Sequence, residues 1–285
     1  MAPENSLIPA SDLTAAESQT AAVLPRGCTF AEPDWRALAP FWYPVAFSRE
    51  ITDKPYATRL LDERVVLYRI SDGSVVAARD ICYHRGVPLS LGHVEGDEII
   101  CKYHGLRYDP SGRCTCIPAH PKGAISPRLR LDIYPAQERY GLVWVRLVDN
   151  GPLPLPEMKE WEHPDYLPVL PDSVTIEAAA GRQIEGFLDV SHFAFVHKES
   201  FGEPDNPVVP DYKVTKTAHG FVAAIEETLD FNYQVFAEDI AIVESQFPED
   251  LPLDLHAEAH FPADRSSVTY RKGLAALGLG RGYTA

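Results

Sequence analysis

The sequence contains no apolar run approaching the roughly 18–20 residues that a membrane span needs, so no segment of it reads as a transmembrane helix. Cysteine is scarce: five residues in 285, an odd number with no regular framework, which argues against a secreted disulfide scaffold. Positive charge is short as well. With 26 Lys and Arg against 41 Asp and Glu the formal net charge is −15, a poor balance for binding nucleic acid or an anionic membrane surface. Residues 1–36 are rich in Ala, Ser, Thr and Pro but lack a cationic start and an apolar segment. They read as a loose N-terminal extension and not as a signal peptide. There is no internal repeat, and a cytoplasmic location is the expectation. What remains is a 45% hydrophobic, 24% charged composition, enough for two globular domains.

The organisation is α+β. Residues 37–150 carry short apolar runs with strand character, at 65–70, 74–78, 98–103 and 142–148, punctuated by Gly and Pro; this predicts a small antiparallel β domain. Six prolines then fall within the 22 residues 150–171, the mark of a linker or a domain-wrapping segment. In the second domain, 151–285, the pattern predicts strands at 173–180, 212–217, 220–229 and 253–261. It predicts helices at 182–196, 231–246 and 264–277.

Two short motifs carry the chemistry. Residues 82–86 read CYHRG and 101–105 read CKYHG, so Cys82 and His84 are one residue apart and Cys101 and His104 two apart. Two thiolates and two imidazoles on two β loops are the ligand set of a Rieske [2Fe–2S] cluster. A Cys2His2 zinc site would pair Cys with Cys and His with His, which the alternating pairs do not do. From Cys82 to Cys114 the chain resembles the Rieske family almost residue by residue, including Gly92, Tyr108 and Gly112. Cys28, Cys114 and Cys116 lie outside the ligand pattern and read as ordinary thiols. The segment 101–130 holds six basic residues against one acid, Asp109, a surface that would suit an acidic electron donor.

Residues 185–197, EGFLDVSHFAFVH, resemble the iron-binding segment of Rieske non-heme iron oxygenases, with His192 and His197 as ligands. Positions five apart lie about 140° apart on a helix, so a break or bulge is expected near 193–196. The stretch 262–274, PADRSSVTYRKGL, resembles the family's carboxylate-bearing helix and implies Asp264 as third ligand. The competing reading of Asp264 is an N-cap. His256 and His260 fall on the polar face of an alternating segment and read as solvated. The resemblance gives Asp189 a different role, a hydrogen-bonded bridge between His192 and the partner subunit's His104, which implies a cyclic homotrimer.

The resemblance extends to vanillate-type O-demethylases and methylxanthine N-demethylases. It implies a terminal oxygenase carrying a [2Fe–2S] cluster and a mononuclear Fe(II), fed by an NAD(P)H-dependent reductase and possibly a ferredoxin. Such an enzyme uses O2 to hydroxylate or demethylate a small aromatic or heterocyclic substrate. Aromatic residues Phe187, Phe193, Phe195 and Phe201 stand near the ligands. Two departures stand out. Gly186 occupies the place of the family's usual Asn. Only 66 residues separate His197 from Asp264, too few for a full helix-grip (START-like) catalytic domain, so the domain is shortened, or chain is missing around 230–231. The alternative is a Rieske electron-transfer or ligand-binding protein without a working mononuclear iron site.

Overall fold

The computed structural model describes residues 24–280, except 150, 152, 199, 218–219 and 225–232. The chain divides into two units with the boundary between Asp172 and Ser173. Among the described residues no helix is long and apolar enough to cross a membrane.

The first unit is built of antiparallel sheets. Strands β1 (Tyr43–Phe47), β10 (Ala136–Arg139) and β11 (Leu142–Val145) form one sheet in the order β1-β11-β10. A second sheet orders β2 (Tyr56–Leu60), β3 (Glu63–Arg69), β4 (Val75–Arg79) and β9 (Ile133–Tyr134) as β2-β3-β4-β9. Val65, Val66, Leu67 and Tyr68 of β3 are all fully buried, which is why this strand shows a continuous apolar run instead of alternation. The third sheet orders β5 (His93–Glu95), β6 (Glu98–Ile100), β7 (Arg107–Tyr108) and β8 (Cys114–Cys116) in sequence; the second Cys-His loop joins β6 to β7, and the first lies in the connection from β4 to β5.

Two tight hairpin turns fasten flanking chain to this unit. Between β2 and β3, Leu61 and Asp62 both take positive φ, 48° and 65°, the backbone of a type I′ turn. The Asp62 carboxylate accepts hydrogen bonds from Thr29 N (2.7 Å) and Oγ1 (2.8 Å), and Trp35 Nε1 donates to Leu61 O at 2.9 Å. Trp35, in helix α1 (Glu32–Leu38), is 1% exposed. The described part of the expected loose extension, 24–36, is therefore packed against the β domain. Between β10 and β11 the Tyr140 hydroxyl donates to Pro156 O (3.1 Å) and accepts from Met158 N (2.9 Å), with Trp161 edge-on to its ring. These contacts hold the proline-dense segment to the first unit, so that unit ends at 172 and not at 150.

The second unit contains helices α2 (Ala180–Leu188), α3 (Phe193–Val196), α4 (Tyr233–Glu244) and α5 (Arg265–Ala276), and one hairpin, β12 (Lys213–Thr217) with β13 (Gly220–Ala224). Residues 173–179 and 253–261, expected as strands, form none. Alternation alone makes no strand without an edge to pair with, and among the described residues the β12–β13 hairpin is this unit's whole sheet. Glu258 of the second segment instead turns inward to Arg182 and Arg271, at 2.6 Å from each. The many-stranded curved sheet of a full helix-grip domain is absent among the described residues, in keeping with a shortened domain. The expected point of shortening, 230–231, lies outside them.

Candidate iron–sulfur and metal centres

The two Cys-His loops are folded alike. In the first, Gly86 N donates to Cys82 O (2.8 Å) and Cys82 N to Val87 O (2.8 Å); in the second, Gly105 N donates to Cys101 O (2.9 Å) and Cys101 N to Leu106 O (2.9 Å). Each closes on a glycine in the left-handed region, φ 73° at Gly86 and 69° at Gly105, a conformation that a side chain would strain. The loops bring His84 Nδ1 within 3.1 Å of His104 Nδ1, with both imidazoles at the surface. Cys82 and Cys101 are buried beneath them, 1% and 2% exposed. Burial pushes the Cys101 thiol up, while backbone N–H groups of Tyr103 and His104 aimed at its sulfur pull the other way. The buried Asp80 carboxylate pins the first loop by accepting from Ser90 N (2.8 Å) and Ser90 Oγ (2.7 Å). Two sulfurs below and two ring nitrogens above fit a Rieske cluster.

Tyr108 OH lies 3.2 Å from Cys82 Sγ. Burial, with Cys82 alongside, raises the Tyr108 phenol well above its ordinary pKa, and toward a cluster-bound Cys82 thiolate, which has no proton to give, the hydroxyl would be the donor. A hydrogen bond to a cluster sulfur stabilises the reduced, more negative state. Tyr108→Phe should therefore lower the cluster's reduction potential by roughly 20–60 mV, the equivalent of a net hydrogen bond of about 0.5–1.5 kcal/mol; protein-film voltammetry reads the shift directly. The basic surface beside the second loop is weaker than its composition implies. Arg107 is paired with Glu95 (2.6 Å) and Glu98 (3.3 Å), and Arg113 with Asp109 (3.0 Å).

In the second unit α2 stops at Leu188, earlier than expected, because the Asp189 carboxylate accepts from Ser191 N (2.9 Å) and Ser191 Oγ (2.6 Å) and turns the chain. The break thus precedes His192 and does not fall at 193–196. His192 and His197 then bracket the single turn α3, and their Nε2 atoms approach to 3.2 Å. The carboxylate that joins them is Asp239, on α4. Its Oδ1 lies 3.1 Å from His197 Nε2 and 3.3 Å from His192 Nε2, so one ligand atom of each of the three residues lies within 4.8 Å of the others, close enough to share one ion.

Asp264, expected as the third ligand, is not brought to the pair. Its Oδ2 accepts from Phe261 N at 2.8 Å, closing the turn that leads into α5, with His260 Nδ1 at 3.7 Å. Asp264 stands at the N-cap position of α5 but its side chain makes no capping bond to that helix; it reaches back to Phe261 N instead. His260 is not solvated either: its side chain is 20% exposed and its Nε2 is buried without a partner, while His256 stays exposed. Asp239 sits in the run YQVFAEDIAIVE, where the signal open to sequence reading was two adjacent carboxylates inside an otherwise largely apolar helix.

Donor separations of 3.1–3.3 Å are close to those that cis ligands take about one ion at roughly 2.0–2.2 Å. Two imidazoles and one carboxylate on one face are the donor set of non-heme Fe(II) oxygenases, so the residues fit the group. The surrounding contacts support the ligands. Asp189 Oδ2 stands 3.5 Å from His192 Nδ1, and Glu238 Oε2 2.7 Å from His197 Nδ1. Burial raises the Asp189 carboxyl, but its hydrogen bonds with His192 and Ser191 outweigh this and hold it below the ordinary range. Phe201 stacks on His197 and Phe193 lies edge-on to His192, while Phe187 and Phe195 point outward, 44% and 59% exposed. A Cβ at Gly186 would meet only Val243, at 3.7 Å. A cavity of about 260 Å³ opens beside Gly186 and Asp189, lined by Arg182, Glu185, Glu258 and Asp264. It is polar, and none of the three metal-site residues lines it.

Two family models match parts of the chain. Residues 41–135 match the Rieske [2Fe-2S] domain, and 176–228 the vanillate O-demethylase oxygenase C-terminal domain. The chain is 30% identical to methylxanthine N1-demethylase NdmA of Pseudomonas putida, over 83% of this chain and 88% of that protein. It is 29% identical to the vanillate O-demethylase oxygenase subunit of a Pseudomonas species, over 86% and 67%. The solved structure of Pseudomonas putida CBB5 NdmA with caffeine superposes with a TM-score of 0.76 at 28% identity, covering 85% of this chain and 91% of that one. The chain belongs to the Rieske non-heme iron oxygenases, and it is an oxygenase component. The NdmA alignment runs over 313 positions but takes in only 83% of these 285 residues. NdmA therefore carries on the order of 75 residues within the aligned region that this chain lacks.

Proposed function

We propose that this chain is a terminal oxygenase that removes a methyl group from a small O- or N-methylated aromatic or heterocyclic compound. The observation that carries the proposal is the His192–His197–Asp239 triangle, a complete donor set in the same chain as a Rieske domain. Methylxanthine N1-demethylase, vanillate O-demethylase and dicamba O-demethylase are among its relatives, which favours demethylation over dihydroxylation. When bound, the cluster supplies one-electron transfer and the iron supplies O2 activation.

The chain's own residues do the rest. His84 and His104, both exposed, would hold the cluster together with Cys82 and Cys101. Asp189 holds His192 and offers a route to it from the partner subunit's His104, within a homotrimer. Phe193 and Phe201 exclude water from the imidazoles. Electrons come one at a time from an NAD(P)H-dependent reductase, directly or through a ferredoxin. In the balanced reaction a methoxy or N-methyl substrate, O2, NADH and a proton give the demethylated product, formaldehyde, water and NAD+.

The test begins with metal analysis of anaerobically purified protein. Three irons per chain, two with a Rieske EPR signature, and formaldehyde release from a panel of methoxybenzoates and methylxanthines with a surrogate reductase are expected. Two irons, no uptake of added Fe(II) and no formaldehyde would favour the second reading, a Rieske electron-transfer protein. The shortening of the catalytic domain is what keeps that reading alive.

A further inference from the structure

Helix α4 places Glu238 and Asp239 in succession, about 100° apart around its axis. Both carboxylates reach the same imidazole. Asp239 Oδ1 faces His197 Nε2 at 3.1 Å, while Glu238 Oε2 meets His197 Nδ1 at 2.7 Å and accepts from Ser200 Oγ at 2.9 Å. With a metal ion held on Nε2, the remaining ring proton of His197 would lie on Nδ1, where the Glu238 carboxylate is placed to accept it. His197 is also the most enclosed member of the triangle, its side chain 1% exposed against 18% for His192 and 14% for Asp239. The corresponding contact on His192, with Asp189, is looser at 3.5 Å.

We propose that Glu238 is a positioning residue: it fixes the tautomer and aim of His197 and makes that imidazole the stronger donor to the metal. Asp239 would thus ligate the ion while its neighbour tunes another ligand of the same ion. The inference rests on the triangle being the metal site. Outer carboxylates of this kind typically contribute about 10–100-fold to metal affinity.

The experiment uses full-length, cluster-bearing protein stripped of its mononuclear ion by mild chelation, with Co(II) as the probe. Affinity is read by equilibrium dialysis, and the shifted, exchangeable imidazole N–H protons by proton NMR. The parent should bind one Co(II) and show one such proton for each histidine. Glu238→Ala should bind Co(II) about 10–100-fold more weakly and lose the His197 proton to solvent exchange. Glu238→Gln, which keeps an acceptor oxygen but not the charge, should fall between. An unchanged Rieske absorption spectrum shows that the chain has folded; if Glu238→Ala lacks it, Glu238→Gln decides. Binding by the alanine variant within twofold of the parent, with both protons present, overturns the proposal alone. A parent that binds no Co(II) overturns the metal-site reading and the proposal with it.

Discussion

Asp239→Ala protein, purified anaerobically with its cluster intact, is expected to hold two irons per chain where the parent holds three, and to lose demethylation by well over 100-fold. Loss of a supporting contact alone costs about 10–100-fold, and Asp239 supplies the carboxylate of the triangle itself, at 3.1 and 3.3 Å from the two imidazole nitrogens. Asp264→Ala is the matched control. Its carboxylate closes the turn before α5 through Phe261 N, so that variant should keep all three irons and lose about 0.5–1.5 kcal/mol of stability, the net worth of one hydrogen bond. Iron counts and the Rieske EPR signal separate the two outcomes. An Asp264→Ala protein with two irons and an Asp239→Ala protein with three would return the ligand to position 264.

The second large effect concerns stability. Arg271 of α5 donates to Glu185 of α2 through Nε (2.5 Å) and Nη2 (2.8 Å), to Glu258 through Nη2 (2.6 Å) and to Pro252 O through Nη1 (3.0 Å). Arg182 completes the set with Glu258 at 2.6 Å. The Arg271 and Glu185 side chains are 3% and 11% exposed, so little water reaches these charges. Arg271→Ala should destabilise the second unit by about 3–5 kcal/mol, because Glu185 and Glu258 are left to share the single guanidinium of Arg182, at 3.5 and 2.6 Å, and one buried negative charge goes uncompensated. That corresponds to roughly 10–20 °C in melting temperature for a unit of this size. Calorimetry or circular dichroism would measure it. Replacing both partners, Arg271→Met with Glu185→Leu, should recover most of the loss, since no charge is then stranded. A single variant that melts with the parent would show that water reaches this network.

How much of this was readable in advance depended on distance along the chain. The four expected cluster ligands lie within residues 82–104 on two short loops, and each loop's fold is local: a Cys, a His and a glycine at positive φ. The same holds for His192 and His197, which bracket one helical turn. The turn that ends α2 was misplaced because it depends on the side chain of Asp189 capturing Ser191, a local bond that competed unnoticed with the helical pattern. The segment 253–261 alternates like a strand but has no sheet to join, and Glu258 is drawn inward by two guanidiniums from other elements.

The sequence by itself determined the antiparallel β domain, the Rieske ligand set, the histidine pair and the shortness of the catalytic domain, because each is written in spacing, periodicity or length. Only the tertiary structure decided which of many carboxylates meets that pair. Asp239 arrives from a helix 42 residues beyond His197, and Asp264 sits in a motif that looks equally suitable in one dimension. The choice between them rests on how α4 and α5 pack, through buried contacts between residues far apart in the chain that no local pattern records.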